Sequence, residues 1–167
     1  VGPVLADMDV RIDDPDVDGV GEISVKGPNV MLGYHNDPAE TAKVLSPDGW
    51  LRTGDFGFVD SGGFLHITGR KKNVIVAKNG KNVYPEEIEA KLNRSDFISE
   101  CMVFGRESKT KGEEIWVVVV PEMEKLIERA EQKGGSLSTE YARDVISAEI
   151  RRFNAGQPIY KHVSSFI

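Results

Sequence analysis

The pattern of apolar residues changes near residue 70, and that change restricts the fold more than any other feature of the chain. Before it, Met8-Asp9-Val10-Arg11-Ile12-Asp13 alternates with period two and runs into an Asp/Pro/Asp/Gly turn from Asp13 to Gly19. Gly21-Glu22-Ile23-Ser24-Val25-Lys26 alternates again, so the pair predicts a β-hairpin. Asp37-Pro38-Ala39-Glu40-Thr41-Ala42 reads as a helix start, with Asp37 as cap and Pro38 at the first helical position. Trp50 to Arg52, Phe56 to Val59 and Phe64 to Thr68 read as strands parted by turns, Ser61-Gly62-Gly63 being the sharpest.

After Arg70 the texture becomes β and α in alternation. Asn73 to Ala77 reads as a short apolar strand. Pro85 to Leu92 reads as a helix, with Ile88 and Leu92 four apart and acids in its first turn, where the helix dipole favours them. Ile98 to Phe104 and Ile115 to Val120 read as strands, the second buried on both faces. Glu122 to Lys133 is a predicted helix ended by Gly134-Gly135. Ser138 or Thr139 caps a last helix that puts Ala142, Ile146, Ile150 and Phe153 on one face. A boundary is expected at residues 69–73, followed by a small α/β sandwich.

The charges are distributed unevenly. Residues 1–60 hold four Lys/Arg against twelve Asp/Glu, residues 61–111 ten against six, and residues 112–167 seven against nine. Arg70, Lys71, Lys72, Lys78 and Lys81 fall in a stretch, 69–81, that contains no acid. A local cation excess in a chain of net charge −6 favours a small anionic ligand and argues against nucleic acid as partner. A solvated turn would carry the same lysines. No apolar run approaches a membrane span, the longest being Ile115 to Val120. Val1 to Asp7 lacks the basic start and apolar core of a leader, and a first residue other than Met fits a fragment or processed chain. Cys101 is the single cysteine, which excludes an intrachain disulfide and a cysteine zinc site and fits a reducing, cytoplasmic setting. His35, His66 and His162 show no metal-ligand spacing, so no metal site is expected. Cys101, beside Met102 and Val103, reads as a buried inert thiol, and Trp50 and Trp116 as packing residues.

Three short segments carry the chemistry: Trp50-Leu51-Arg52-Thr53-Gly54-Asp55, Gly69-Arg70-Lys71-Lys72-Asn73, and Gly80-Lys81-Asn82-Val83-Tyr84-Pro85-Glu86-Glu87-Ile88-Glu89. A lone Asp on a turn can hold two neighbouring ribose hydroxyls through its two oxygens, and a nearby Arg can steady the sugar or a phosphate beside it. The layout fits a nucleotide-handling site built across a hinge. Each residue also has an ordinary reading. Asp55 is then a turn acid after Gly54, Arg70 an exposed Arg paired with Asp60, Lys72 a surface lysine, and Gly80 a turn glycine needing positive φ.

Gly21-Glu22-Ile23-Ser24-Val25-Lys26-Gly27-Pro28-Asn29-Val30-Met31-Leu32-Gly33-Tyr34 resembles the barrel-subdomain signature of the adenylate-forming superfamily. Leu51-Arg52-Thr53-Gly54-Asp55 and Gly69-Arg70-Lys71-Lys72 look like its next two signatures, in the same order and spacing. Residues from about 2 to 163 follow this pattern. Val76-Ala77-Lys78-Asn79-Gly80-Lys81-Asn82-Val83-Tyr84-Pro85-Glu86 is most similar to the loop of acyl-CoA synthetases, long-chain fatty acid CoA ligases in particular.

The resemblance implies an α+β fold. Residues 1–69 would be the tail of a distorted β-barrel subdomain, 70–72 a hinge, and 73–167 a small α/β lid with a three-stranded sheet and flanking helices. It implies an AMP-forming acid–thiol ligase using ATP, Mg2+ and CoA, which adenylates a carboxylate and then passes the acyl group to the CoA thiol. Carried over by position, Asp55 would accept both ribose hydroxyls and Arg70 would contact the ribose or adjacent phosphate. Lys72 would be the hinge residue of a domain swing between half-reactions. Gly80 and Lys81 would lie on the loop lining the CoA tunnel, where a missing side chain lets the thiol arm pass. Arg106, Lys109 and Lys111 could meet CoA phosphates from a loop, or simply be solvated. The expected partners are a fatty acid, ATP, CoA and the N-terminal domain of the same chain, with room for peripheral membrane contact.

Two family elements are expected outside these residues: an upstream Ser/Thr/Gly phosphate loop, and a catalytic Lys in a Gly-Lys pair shortly after Pro158-Ile159-Tyr160-Lys161-His162. Ser136-Leu137-Ser138-Thr139 fits a helix cap better than a phosphate loop. The chain alone is therefore expected to be inactive. The alternatives are a ligase for an aryl or other carboxylate, and a noncatalytic lid module that binds nucleotide or CoA.

Overall fold

The computed structural model describes residues 1–77, 79–108 and 112–167, and Lys78, Lys109 and Lys111 of the sequence expectations lie outside them. The chain divides into two compact units, Val1–Lys72 and Asn73–Ile167.

The first unit is an open antiparallel sheet. Its strands are β1 (Gly2–Pro3), β2 (Asp9–Asp13), β3 (Gly21–Lys26), β4 (Leu51–Val59) and β5 (Phe64–Arg70), in the order β1-β5-β4-β3-β2. The described strands do not close a barrel. One helix, α1 (Pro38–Val44), precedes β4, and its first turn is fixed as expected: the Glu40 N–H donates to Asp37 Oδ1 at 2.9 Å. The expected hairpin of β2 and β3 forms, with Val10 facing Val25 and Ile12 facing Ile23.

Two details of this sheet differ from the sequence reading. Trp50 precedes the strand, and Leu51–Arg52 and Phe56–Val59 are parts of one strand, because Gly54 at φ 74° and a register shift between Phe56 and Gly57 are absorbed within β4. The start of β3 is also buried on both faces. Gly21, Glu22, Ile23 and Ser24 are all inside, although the alternating pattern marks Glu22 and Ser24 as outward. Their polar groups are met locally: Ser24 Oγ donates to Asp13 Oδ2 at 2.6 Å, and Lys71 Nζ to Glu22 Oε2 at 2.7 Å.

A 3-10 turn, Lys71–Asn73, runs across the boundary into the second unit, whose first strands are a short hairpin of β6 (Ile75–Val76) and β7 (Asn82–Val83). The expected strand over Asn73–Ala77 is thus only its middle. Then follow α2 (Pro85–Leu92), β8 (Ile98–Ser108), β9 (Gly112–Pro121), α3 (Met123–Gln132), α4 (Thr139–Ala155) and β10 (Val163–Phe166). β8, β9 and β10 form the three-stranded sheet, in the order β10-β9-β8, with β8 antiparallel and β10 parallel to β9.

The core of this unit lies where α2 and α4 cover one sheet face. Ile88 and Leu92 of α2 and Ile146 and Ile150 of α4 pack against Val103, Ile115, Val117 and Val163, with Phe153 partly buried beside them. Full burial of such side chains is worth about 1.5–3 kcal/mol each. The Tyr141 N–H donates to Ser138 Oγ at 3.1 Å, which starts α4 as the sequence predicts. The reading of Ile115–Val120 as buried on both faces is corrected: Ile115 and Val117 are inside, but on the other face Val120 is exposed and Val118 half-buried. Among the described residues that second face is half-buried to exposed, so the run behaves as a one-sided strand. Cys101 is likewise half-buried, not fully buried.

Candidate functional site

Within the first unit, β4 and β5 bring Asp55 and Arg70 together. The two residues are direct partners in the antiparallel ladder, and Arg70 Nε lies 2.9 Å from Asp55 Oδ1. Close approach of the strands depends on Gly57, where a Cβ would lie 2.1 Å from the His66 carbonyl oxygen and 2.8 Å from Ile23 Cδ1. Asp55 is also held through its backbone: its N–H donates to Thr53 Oγ1 at 3.1 Å, and that hydroxyl donates to the Ile23 carbonyl at 2.8 Å. The carboxylate is therefore fixed from both ends, with 23% of its side-chain surface still open against 58% for Arg70. An ion pair so exposed contributes at most about 1 kcal/mol, so its arrangement matters more to ligand chemistry than to folding.

The pairing of Arg70 with Asp60, the ordinary reading of that arginine, does not occur. Asp60 closes its own turn instead, accepting the Gly62 and Phe64 N–H groups at 2.9 Å each and lying 2.7 Å from His66 Nε2. The His66 bond, and after it the Phe64 N–H, hold the Asp60 carboxyl below the usual carboxylate range. His66 also stacks on Phe58 with ring centroids 4.9 Å apart, which fits its structural role.

An open groove of about 300 Å³ lies beside the pair, lined by Gly54, Arg70, Lys71 and Lys72. The left-handed φ of Gly54 turns the chain there, and a Cβ on it would meet nothing within 4 Å. Lys71 is committed to Glu22, whereas Lys72 is exposed and is the last residue of the unit. Sequence reasoning counted Lys71 among the cations for an anionic ligand and did not foresee its pairing with Glu22. The signal was an acid on a strand that is central in the sheet, which alternation alone does not reveal.

Gly80 and Lys81 belong to the second unit, on the turn joining β6 and β7. Gly80 has φ 76°, as its turn reading requires, and its N–H donates to the Ala77 carbonyl at 2.8 Å. The Lys81 N–H donates to Asn79 Oδ1 at 3.1 Å, and its ammonium stands 4.9 Å from the centre of the Tyr160 ring. Beside this turn lies a larger open groove of about 870 Å³, lined by Ala77, Asn79, Glu113, Trp116, Tyr160 and neighbouring residues. Arg106 is not directed to a free loop edge: its guanidinium lies over the Trp116 ring at 4.4 Å. Lys161, kept apart from the family's catalytic lysine, is tied to Glu87 at 2.7 Å. His162 Nε2 lies 3.0 Å from the Gln157 carbonyl. Among the described residues no group of three or more His, Cys, Asp or Glu side chains is placed to hold a metal ion.

Comparison with known proteins gives these arrangements a context. The AMP-binding enzyme C-terminal domain family matches residues 87–152. The chain is 50% identical over 100 residues to the long-chain-fatty-acid–CoA ligase of Bacillus subtilis (strain 168), covering 60% of this chain and 18% of that protein. It is also 50% identical over 101 residues to the indoleacetate–CoA ligase of Aromatoleum aromaticum (strain DSM 19018 / LMG 30748 / EbN1), covering 60% of this chain and 19% of that protein. Among solved structures, ATP-bound MatB from Rhodopseudomonas palustris is similar over 100% of this chain and 31% of its own, with a TM-score of 0.75 and 30% identity. The chain thus spans about a fifth of the length of these curated relatives. With a domain match over residues 87–152, relatives at this level of identity and a shared fold, the chain is similar to the C-terminal region of AMP-forming acyl-CoA synthetases.

Proposed function

We propose that this chain is the C-terminal part of an ATP-dependent acyl-CoA ligase. In that reaction a carboxylate attacks the α-phosphate of ATP, releasing pyrophosphate and forming an acyl-adenylate, and the CoA thiol then displaces AMP. The observation that carries the reading is the Asp55–Arg70 pair, whose arginine lines an open groove together with Gly54, Lys71 and Lys72. A carboxylate held through its backbone can grip a ribose diol while acyl and phosphate groups change beside it, so positioning survives both steps. Arg70 Nε lies 2.9 Å from Asp55 Oδ1, an ion pair that would orient the carboxylate beside the sugar. Mg2+ would arrive with the ATP phosphates, since it usually keeps several waters and few protein ligands.

Lys72, at the end of the first unit, is the proposed hinge, and Gly80 with Lys81 the proposed CoA-tunnel loop. The remaining partners are the N-terminal domain of the full-length protein, the carboxylic acid and CoA, in a cytoplasmic setting. Residues 1–167 include no Ser/Thr/Gly phosphate loop and no Gly-Lys pair after Tyr160-Lys161-His162, so the chain by itself should not adenylate.

A fatty acid is the first substrate reading. An aryl acid is the second, favoured by equal identity to the indoleacetate ligase and the long-chain ligase. The test is pyrophosphate release by the full-length protein with a panel of acids, comparing wild type with Asp55→Ala. Losing a charge-assisted hydrogen-bonding group costs about 1.5–3 kcal/mol, so release at limiting ATP should fall by roughly 10- to 150-fold. Release unchanged in the variant would overturn the role of Asp55. The acid panel then separates fatty from aryl substrates.

A further inference from the structure

We propose that Glu113 is a positioning residue for the turn that carries Gly80 and Lys81. Two strands of two residues each make a hairpin too small to hold its shape alone. Ile75 and Val83 pin one side of it into the core. The backbone needs a second fastening, and β9 supplies it: the Val76 N–H donates to Glu113 Oε2 at 2.8 Å. Val76 pairs with Asn82 in the hairpin, yet this donor is met from outside it by a carboxylate. Charge assistance makes that bond stronger than a neutral one.

The space for the carboxylate is kept by Gly105 on β8, directly across from Ile115. A Cβ at Gly105 would lie 3.2 Å from Glu113 Cδ, 3.3 Å from Glu113 Oε1 and 3.3 Å from Ile75 Cγ1. Gly105, Glu113 and Ile75 thus form one fitted contact between the sheet and the hairpin. On the far side of the turn, Lys81 rests on Tyr160. The turn is braced at both ends, and Glu113 sets the end that continues from β6.

The consequence for chemistry rests on the ligase reading, whereas the consequence for the hairpin does not. Two measurements keep them apart. In the 167-residue chain, amide hydrogen exchange at Val76 and Lys81 should speed up by about tenfold or more in Glu113→Ala, the change expected for one lost charge-assisted bond. Gly105→Ala should act in the same direction by displacing the carboxylate, and Glu113→Gln, whose amide oxygen still accepts, should stay near wild type. Unchanged protection in Glu113→Ala, or loss in Glu113→Gln equal to that in Glu113→Ala, overturns the proposal. In the full-length protein, Glu113→Ala should leave acid-dependent pyrophosphate release within about twofold of wild type and raise KM for CoA about tenfold or more, with Glu113→Gln restoring it. A wild-type protein that forms no thioester would sink the ligase reading and leave the exchange result standing. Thioester formation with unchanged KM for CoA in Glu113→Ala would sink the positioning role.

Discussion

Lys71→Met would leave the Glu22 carboxylate without its counter-ion in the most enclosed part of the first sheet. The glutamate side chain is 11% exposed and the lysine 54%, with 2.7 Å between Nζ and Oε2. A fully buried pair loses about 3–5 kcal/mol when one partner is removed, and an exposed pair contributes about 1 kcal/mol or less. Water reaching the lysine side places this case between them, at about 2 kcal/mol. Glu22→Gln removes the charge that needs a partner and should cost less, about 1 kcal/mol. The double variant should then show a coupling of about 1 kcal/mol or more, because the second substitution no longer strands a charge. Urea unfolding followed by Trp50 fluorescence isolates this unit when Trp116, which lies in the other unit, is replaced by Phe. A coupling near the exposed-pair value, about 0.3 kcal/mol, would mean that the Glu22 carboxylate is hydrated and that burial is not what makes the pair matter. Such a result would also remove Lys71 as a fixed point immediately before the proposed hinge at Lys72.

Two further outcomes follow from titrating groups. The Ser24 hydroxyl, and after it the Arg11 guanidinium, hold the Asp13 carboxyl below its ordinary value against the opposing effect of burial. A lowered carboxyl stabilises the fold above the ordinary Asp value of about 3.9 and stops doing so as pH falls through the lowered one. The stability difference between wild type and Asp13→Asn should be constant above about pH 5 and shrink below about pH 4, as read by urea midpoints; a difference that grows on acidification would refute this. Burial, and then the Glu89 charge, push the Cys101 thiol up to about 11. At pH 8 its alkylation by iodoacetamide should therefore run roughly a hundredfold slower than that of a free cysteine, and a rate within about fivefold would contradict the burial.

Much of the fold was legible because local chemistry and tertiary structure agree. Asp37-Pro38 and Ser138 start helices with the predicted cap bonds, and the β2–β3 hairpin keeps the register of its alternating residues. Ile146, Ile150 and Phe153 meet the core from one face of α4, as their spacing requires. What failed depended on neighbours that a local pattern does not contain. β1 and β10 are only two and four residues long and exist because β5 and β9 offer an edge. Ile115–Val120 looked two-sided because all six residues are apolar, yet Ile115 and Val117 are buried while Val118 is half-buried and Val120 exposed. The same limit governs the candidate site. Asp55 and Arg70 could be named separately from their motifs, but their opposition needs the register of β4 on β5, bulge included. The ordinary reading of Arg70 therefore paired it with Asp60, and the turn at Gly62-Gly63 takes that acid away. Glu113 had no local signal, since its contact is with a strand far earlier in the chain.

The parallel placement of β10 has a kinetic consequence. β8 and β9 meet across a short connection and can form early, whereas β10 must return to β9 after both α3 and α4 have been laid down. Loop closure over that distance is slow and gains little until the helices are in place. Asn154 eases the arrival: its amide donates to the Val163 carbonyl and accepts the Val163 N–H, each at 2.9 Å, so the end of α4 works as a template for the incoming strand. The Tyr160 and His162 wall of the larger groove should then be the last part of this unit to assemble, and an Asn154→Ala chain should refold with a slower final phase while the β8–β9 hairpin forms at its usual rate.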